Sequence, residues 1–251
     1  MTVMHPVPDQ NTSGVPTHGE EGLQHLYHGR FSEAERARKQ GLWRILCGAF
    51  FQKYVKPDDV VLDLGAGYCE FINHIRCRTK YAVDLNPDTK TSASPDVHVL
   101  STMSSRLDML GDGSVDVVFA SNFFEHLPNK QEFLATLGEL RRILRPGTGR
   151  LLILQPNIRL LHGAYWDFFD HHLALTDRSL VEAVRMVGLE PVEIRVRFLP
   201  YTTKSLFPQH ALLVRAYLLF KPLQWMFGKQ TWMVALNPRR GRDLARTDAG
   251  V

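Results

Sequence analysis

A chain of 251 residues with 44% hydrophobic content holds enough apolar side chain for one sizeable α/β domain with a bounded insertion, and is too short for two full domains. The formal net charge of +4 argues neither for nor against a nucleic-acid partner. Cys47, Cys69 and Cys77 form no even framework and no metal-ligand spacing, and thiols in such apolar contexts fit a reducing cytoplasm.

Residues 1–22 mix Pro, Gly, Thr and His without an apolar core or a basic start, which predicts a disordered arm and not a signal peptide. After Leu26-Tyr27-His28-Gly29-Arg30-Phe31, Ser32-x-x-Glu35 makes a capping box. Apolar residues at Leu42, Ile45, Leu46, Ala49 and Phe50 then take the spacing of one helix face, and the helix must end before Pro57.

Val60-Val61-Leu62-Asp63-Leu64-Gly65-Ala66-Gly67-Tyr68-Cys69-Glu70 is an apolar run closing on an acid and then Gly-x-Gly. It predicts a buried strand turning sharply into a helix around a ligand, a pattern common to dinucleotide and methyl-donor sites. The charges separate the two. A pyrophosphate on the helix start would be repelled by Asp63 and by Glu70, which stands where a third small residue normally lets the backbone approach. S-adenosylmethionine (SAM) carries a sulfonium and an ammonium and no phosphate, so the same carboxylates attract it. Lys80-Tyr81-Ala82-Val83-Asp84 is a second short strand ending in an acid, seventeen residues after Gly67, near the spacing at which a carboxylate meets ribose hydroxyls. The plainer alternative for Asp84 is a cap on the turn Asn86-Pro87-Asp88.

The first of these stretches resembles motif I of the class I SAM-dependent methyltransferases, Asp-x-Gly-x-Gly, with Cys69 where a third glycine is common. The resemblance implies donor contacts from Asp63, Leu64, Gly65, Ala66, Gly67, Tyr68, Asp84 and Leu85. In many such enzymes an N-terminal segment folds over the donor, which would bring Tyr27 and Arg30 to it; the alternative is that these two staple the helix start.

Val97–Leu100 is the third strand, followed by a polar bend, Ser101 to Ser105, where the family often contacts adenine. Val115–Ala120 is the fourth and runs into Ser121-Asn122-Phe123-Phe124-Glu125-His126, similar to the family's loop ending Glu-His. Ligands of parallel sheets sit at the carboxyl ends of strands, so Ser121 and Asn122 should line the donor pocket. Ubiquinone-biosynthesis O-methyltransferases show Glu-x-x-Glu-His here and are associated with a divalent metal. Glu125 beside His126 could be a general base pair or metal ligands; Asn122 replaces the first of those acids and removes a charge, so the two are expected to fix the loop by hydrogen bonds rather than hold a metal. Asn129 to Glu132 forms an N-cap before a stripe at Phe133, Leu137, Leu140 and Leu144, and Gly149–Gln155 is the fifth strand.

Tyr165-Trp166-Asp167-Phe168-Phe169-Asp170-His171-His172 packs aromatics, acids and histidines into one loop that could close over an acceptor. His171 or His172 is the candidate base and Asp170 its orienting partner; the alternative is a cap over core aromatics. Thr176 to Ser179 starts a helix that ends at Gly188. Glu193–Phe198 reads as a half-exposed sixth strand and Gln230–Leu236 as the last. Between them, about residues 199–229, lies an apolar insertion interrupted by Arg215, Lys221 and Pro222. It cannot span a bilayer, which needs about 20 apolar residues, and is too apolar for a solvated loop. A membrane contact through 206–228, or a lid or dimer face, remains. A basic flexible tail, 239–251, follows.

The expected fold is α/β: a Rossmann-like class I methyltransferase domain over 23–238, with a seven-stranded, mostly parallel sheet of order 3-2-1-4-5-7-6, strand 7 antiparallel, flanked by helices. The expected activity is SAM-dependent methylation, most readily O-methylation, of a small-molecule, sugar or lipid-linked acceptor. The resemblance to bacterial envelope and polysaccharide enzymes suggests that acceptor class, in the cytoplasm or peripheral at the inner face of a membrane. No nucleic-acid partner is expected, because Asn122-Phe123-Phe124-Glu125 stands where an Asn/Asp-Pro-Pro-Tyr/Phe motif would follow strand four. The competing readings are a SAM-binding protein without catalysis and an NAD(P)-dependent oxidoreductase.

Overall fold

The computed structural model describes residues 33–201 and 210–239. Of a short N-terminal unit, Met1–Ala37, only the opening of helix α1 (Glu33–Ala49) is described; everything else belongs to the main unit from Arg38 onward. Tyr27, Arg30, Ser32, the arm 1–22 and residues 240–251 of the tail lie outside the described residues.

Seven strands form: β1 Val60–Leu64, β2 Thr79–Val83, β3 Val97–Leu100, β4 Val117–Ser121, β5 Arg150–Pro156, β6 Glu190–Arg195 and β7 Gln230–Leu236. They make one sheet in the order β3-β2-β1-β4-β5-β7-β6. β1 to β5 pair in parallel, and β7 runs antiparallel between β5 and β6. Leu64 lies opposite both Val83 and Ala120, so the carboxyl ends of the central strands come out along one edge.

Both faces of the sheet are covered, which is why the central strands read as continuous apolar runs. On one face Leu62, Leu64, Val118, Ala120, Leu151 and Ile153 pack against α3 (Lys130–Ile143) and α5 (Asp177–Met186). On the other, Val61, Phe119, Leu152, Leu154 and Trp232 meet Trp43 and Leu46 of α1 and the aromatic turn Phe51–Tyr54. The helix starts follow local chemistry: the Asn129 side chain accepts from the Glu132 backbone N–H, and Thr176 and Ser179 cap each other reciprocally.

The structure departs from expectation in four places. No regular helix follows Gly67; residues 67–74 form successive turns. Gly67 at φ +50° and Cys69 at φ +59° are both left-handed, which a right-handed helix cannot accommodate. The position where a third glycine is common is thus one that asks for glycine-like backbone. β4 starts at Val117, with Val115 making only an isolated bridge to Leu144. β6 starts at Glu190 and ends at Arg195, admitting Pro191 because it is an edge strand with a bulge at that point. The insertion folds as two short helices, α6 Ala211–Leu219 and α7 Lys221–Phe227, moored by Tyr217 and Leu218 in the second core and by Gln224 Nε2, which donates to the Tyr217 and Leu218 carbonyls at 3.2 and 2.8 Å.

Phe119 joins the sheet to the loop after β1: it is fully buried, stacks on Phe71 at 3.8 Å between centroids and meets Phe51 edge-on at 5.2 Å. Phe119→Ala should therefore cost about 3–5 kcal/mol of stability in denaturant titrations; a loss below about 1 kcal/mol would mean the aromatic stack is not a core element.

Candidate active site

The loops at the carboxyl edge of the sheet build the site. The Gly65 and Ala66 N–H groups both donate to the Val83 carbonyl, and the Gly67 N–H donates to Asp84 Oδ2 at 2.7 Å. Asp84 Oδ1 takes the Asn86 N–H at 2.8 Å, and Thr89 Oγ1 donates to the Gly67 carbonyl at 2.8 Å. The loop after β1 is thereby tied to the end of β2. Gly65, at φ +68°, lies under the Phe123 ring, where a Cβ would stand 2.3 Å from a ring carbon, so only glycine fits. Around Gly67 a Cβ would meet nothing within 4 Å, so the loop opens there onto free space. Leu85, next to Asp84, is 61% exposed, an apolar side chain at the rim. Leu64 and Ala66 are buried, so only their backbone could face a ligand. The Tyr68 carbonyl accepts from Gln40 Nε2.

The flanking acids differ from the sequence picture of two free carboxylates. Asp63 is buried and accepts from the Ile72 N–H at 3.3 Å; burial, then the neighbouring charges of Glu70 and Asp84, push its pKa well above the usual carboxylate range. Glu70 is paired with Lys39 Nζ at 2.8 Å. Burial also raises the Asp84 pKa, against the lowering effect of its backbone N–H partners and of His126. The Cys69 thiol is pushed up to about 12 by burial and by these acids, so it stays protonated in the loop.

At the end of β4, Asn122 adopts φ +48°, its N–H donates to the Leu154 carbonyl and its Nδ2 to Ser121 Oγ at 3.0 Å. Ser104 and Ser105, in the bend assigned to adenine, bond instead to Thr136 and Glu132 at α3. Glu125 is almost fully buried; Gln155 Nε2 donates to its Oε2 at 3.0 Å, and its carbonyl takes the His172 and Leu173 N–H groups.

The histidine that meets Asp170 is His126. Its Nδ1 lies 3.2 Å from Asp170 Oδ2 and 3.0 Å from the Asp170 carbonyl, and its Nε2 lies 4.0 Å from Glu125 Oε1. Burial opposes the imidazolium, but the hydrogen bond to Asp170 and the charges of Glu125 and Asp170 outweigh it and raise the His126 pKa. Asp170, expected as the partner of His171 or His172, thus has His126 beside it. His171 is buried, stacked on Phe168 at 5.2 Å and edge-on to Tyr165 at 4.8 Å, so it packs as core; the His172 side chain is exposed, while its backbone is pinned to Glu125. The sequence offered Glu125 as the partner of a His126 base; the contact with Asp170, 44 residues away, was not visible in it. Glu125, His126 and His171 each offer one ligand atom within 4.8 Å of the others, a grouping that could hold a metal ion.

Residues 62–153 match the family model described as a methyltransferase domain. Among solved structures, a chain from the Haloferax volcanii complex of the Trm112 methyltransferase activator is similar at 21% identity and TM-score 0.59, covering 81% of this chain and 95% of that one. A SAM-dependent methyltransferase from Archaeoglobus fulgidus is similar at 19% identity and TM-score 0.55, covering 74% and 89%. The [4+2]-cyclase SpnF is similar at 16% identity and TM-score 0.56, covering 84% of each chain. No curated protein matches the chain significantly. The seven-stranded sheet with its antiparallel β7 is the class I methyltransferase fold. The domain match over residues 62–153 and the fold are those of SAM-dependent methyltransferases, to which this chain is similar.

Because Asp63 holds its proton more tightly folded than unfolded, its ionisation works against the fold as pH rises above its unfolded value of about 3.9. Asp63→Asn keeps the acceptor for Ile72 and removes that cost. The variant should gain stability over the wild type progressively as pH rises above about 4 in thermal melts; a difference that does not change with pH would show that Asp63 ionises normally in the fold.

Proposed function

We propose that the protein transfers the methyl group of SAM to a hydroxyl oxygen of a small, sugar or lipid-linked acceptor, the class suggested by its resemblance to bacterial envelope enzymes. The observation that carries the reading is the His126–Asp170 pair, Nδ1 to Oδ2 at 3.2 Å, whose imidazole lowers the pKa of Asp84. A base therefore adjoins the proposed donor cradle rather than standing apart from it.

The residues fit the donor. Gly65 to Gly67 allow close backbone approach, Asp84 has acceptor capacity for ribose hydroxyls beyond its two backbone partners, and exposed Leu85 offers an apolar face to the adenine plane. Ser121 and Asn122 line the opposite wall at the end of β4. When bound, SAM supplies an electrophilic methyl carbon on a positively charged sulfur. The chain's task is then alignment and removal of one proton. With Nδ1–H donating to Asp170, His126 keeps the Nε2 lone pair available for the acceptor hydroxyl's proton. The loop His162–Asp167 and the residues up to His172 form the cover for the acceptor, with Trp166 at 50% and Phe169 at 87% exposure as apolar contacts.

Two measurements test this. By calorimetry, Asp84→Ala should weaken SAM binding at least about tenfold while the melting transition persists; unchanged affinity would remove Asp84 from the site. With hydroxylated sugars and lipid-linked glycans as acceptors, mass spectrometry should find a methylated product. His126→Gln should lower turnover about 10²–10⁴-fold with SAM affinity retained, and full turnover in that variant would eliminate the base.

A further inference from the structure

Several apolar side chains of the insertion stand in solvent. Leu212, Leu213, Leu219, Phe220, Trp225 and Met226 are exposed, Leu219 at 84% and Trp225 at 72%. The cause is the sequence of α6: Val214, Tyr217 and Leu218 dock on the core, and apart from Arg215 the remaining positions are apolar too, so the helix gives water a mostly apolar side with one cation on it. The patch continues onto edge strand β6, whose exposed Ile194, with Val196 just past the strand's end, shares a groove of roughly 630 Å³ with Trp225, Arg195, Arg197 and Lys221. Arg197 lies over the Trp225 ring at 5.6 Å and donates to its carbonyl at 3.1 Å. Glu193, on the same groove wall, is held by Arg195 and by the Tyr54 hydroxyl, each at 2.8 Å.

Charge selects the occupant. The described patch carries the cations Arg195, Arg197, Arg215 and Lys221, and the one acid in the groove lining, Glu193, is already held by Arg195 and Tyr54. A second copy of this face would bring cations against cations, and a protein core would leave them unpaired. An anionic membrane surface meets both demands: acyl chains receive the leucines, Trp225 suits the headgroup boundary, and Arg215, Lys221 and Arg197 reach lipid phosphates. No helix among the described residues is long and apolar enough to cross a membrane, so the contact is interfacial.

We infer that α6, α7 and the outer face of β6 form a docking surface for an anionic lipid bilayer, held by exposed apolar side chains and flanking cations. The inference is independent of methyl transfer and is read without donor or acceptor.

Flotation of the purified full-length chain with vesicles tests it. Vesicles of phosphatidylcholine and phosphatidylglycerol in equal parts should carry the protein up the gradient, phosphatidylcholine alone should carry far less, and added salt should weaken the partition. Trp225→Ser with Leu219→Gln should abolish flotation with the melting temperature unchanged, since both side chains are outside the core. Lys221→Gln and Arg215→Gln should each cut the partition to anionic vesicles about fivefold. Equal flotation with both vesicle types, or variants that float like the wild type, would overturn the proposal. So would a dimer in sedimentation that Trp225→Ser disperses, with no vesicle binding, because the face would then be covered by a second copy.

Discussion

The hydrogen bond from the Gly67 N–H to Asp84 is the contact on which the candidate site depends. It joins two strand ends that the sequence separates by seventeen residues, and it does so with a backbone donor that no side-chain substitution can supply. Phe123 presses on Gly65 from the β4 side and Thr89 holds the Gly67 carbonyl from the start of α2 (Asp88–Ser92). Three separate parts of the chain therefore brace one loop. Left-handed backbone at Gly65, Gly67 and Cys69 is tolerated because that bracing determines the conformation.

The same bracing concentrates acids. Asp63, Glu70 and Asp84 surround the loop, and only part of that negative charge is free: burial holds Asp63 toward its protonated form and Lys39 balances Glu70. Asp84 keeps its carboxylate on the two loop N–H groups, and His126 lowers its pKa. His126 in turn leans on Asp170 and Glu125, so the loop after β1 and the 162–172 segment are linked through charged groups. A methyl donor that carries positive charge suits such a system better than a pyrophosphate would, although the reason has moved from two open carboxylates to one.

The fold sets what faces away from this centre. The central parallel strands are covered on both sides and leave nothing for solvent, while β6 at the edge exposes every second residue. The insertion enters between β6 and β7, covers part of the second core with Tyr217 and Leu218, and carries its remaining apolar side chains outward. Its position beside the basic edge strand makes a mixed apolar and cationic surface, separate from the strand-end loops.

The strands and the glycine loop were legible in the sequence because buried parallel strands are uninterrupted apolar runs and glycine at left-handed positions leaves a local signature, while the strand order followed only from the resemblance to the methyltransferase family. β7 was read to the residue, and the caps at Asn129 and Thr176 followed from side chains within three residues of the groups they satisfy. What depends on distant parts of the chain was not legible. Cys69 ends the turn before a helix can form, Lys39 neutralises Glu70, and Ser104 turns to Thr136. Asp170 meets His126, 44 residues upstream, while its neighbour His171 is packed among aromatics. Local backbone preference and hydrophobic period act over a few residues and so are written in the chain itself. Charge pairing and burial are properties of three-dimensional neighbourhoods, and only the folded structure brings those neighbours together.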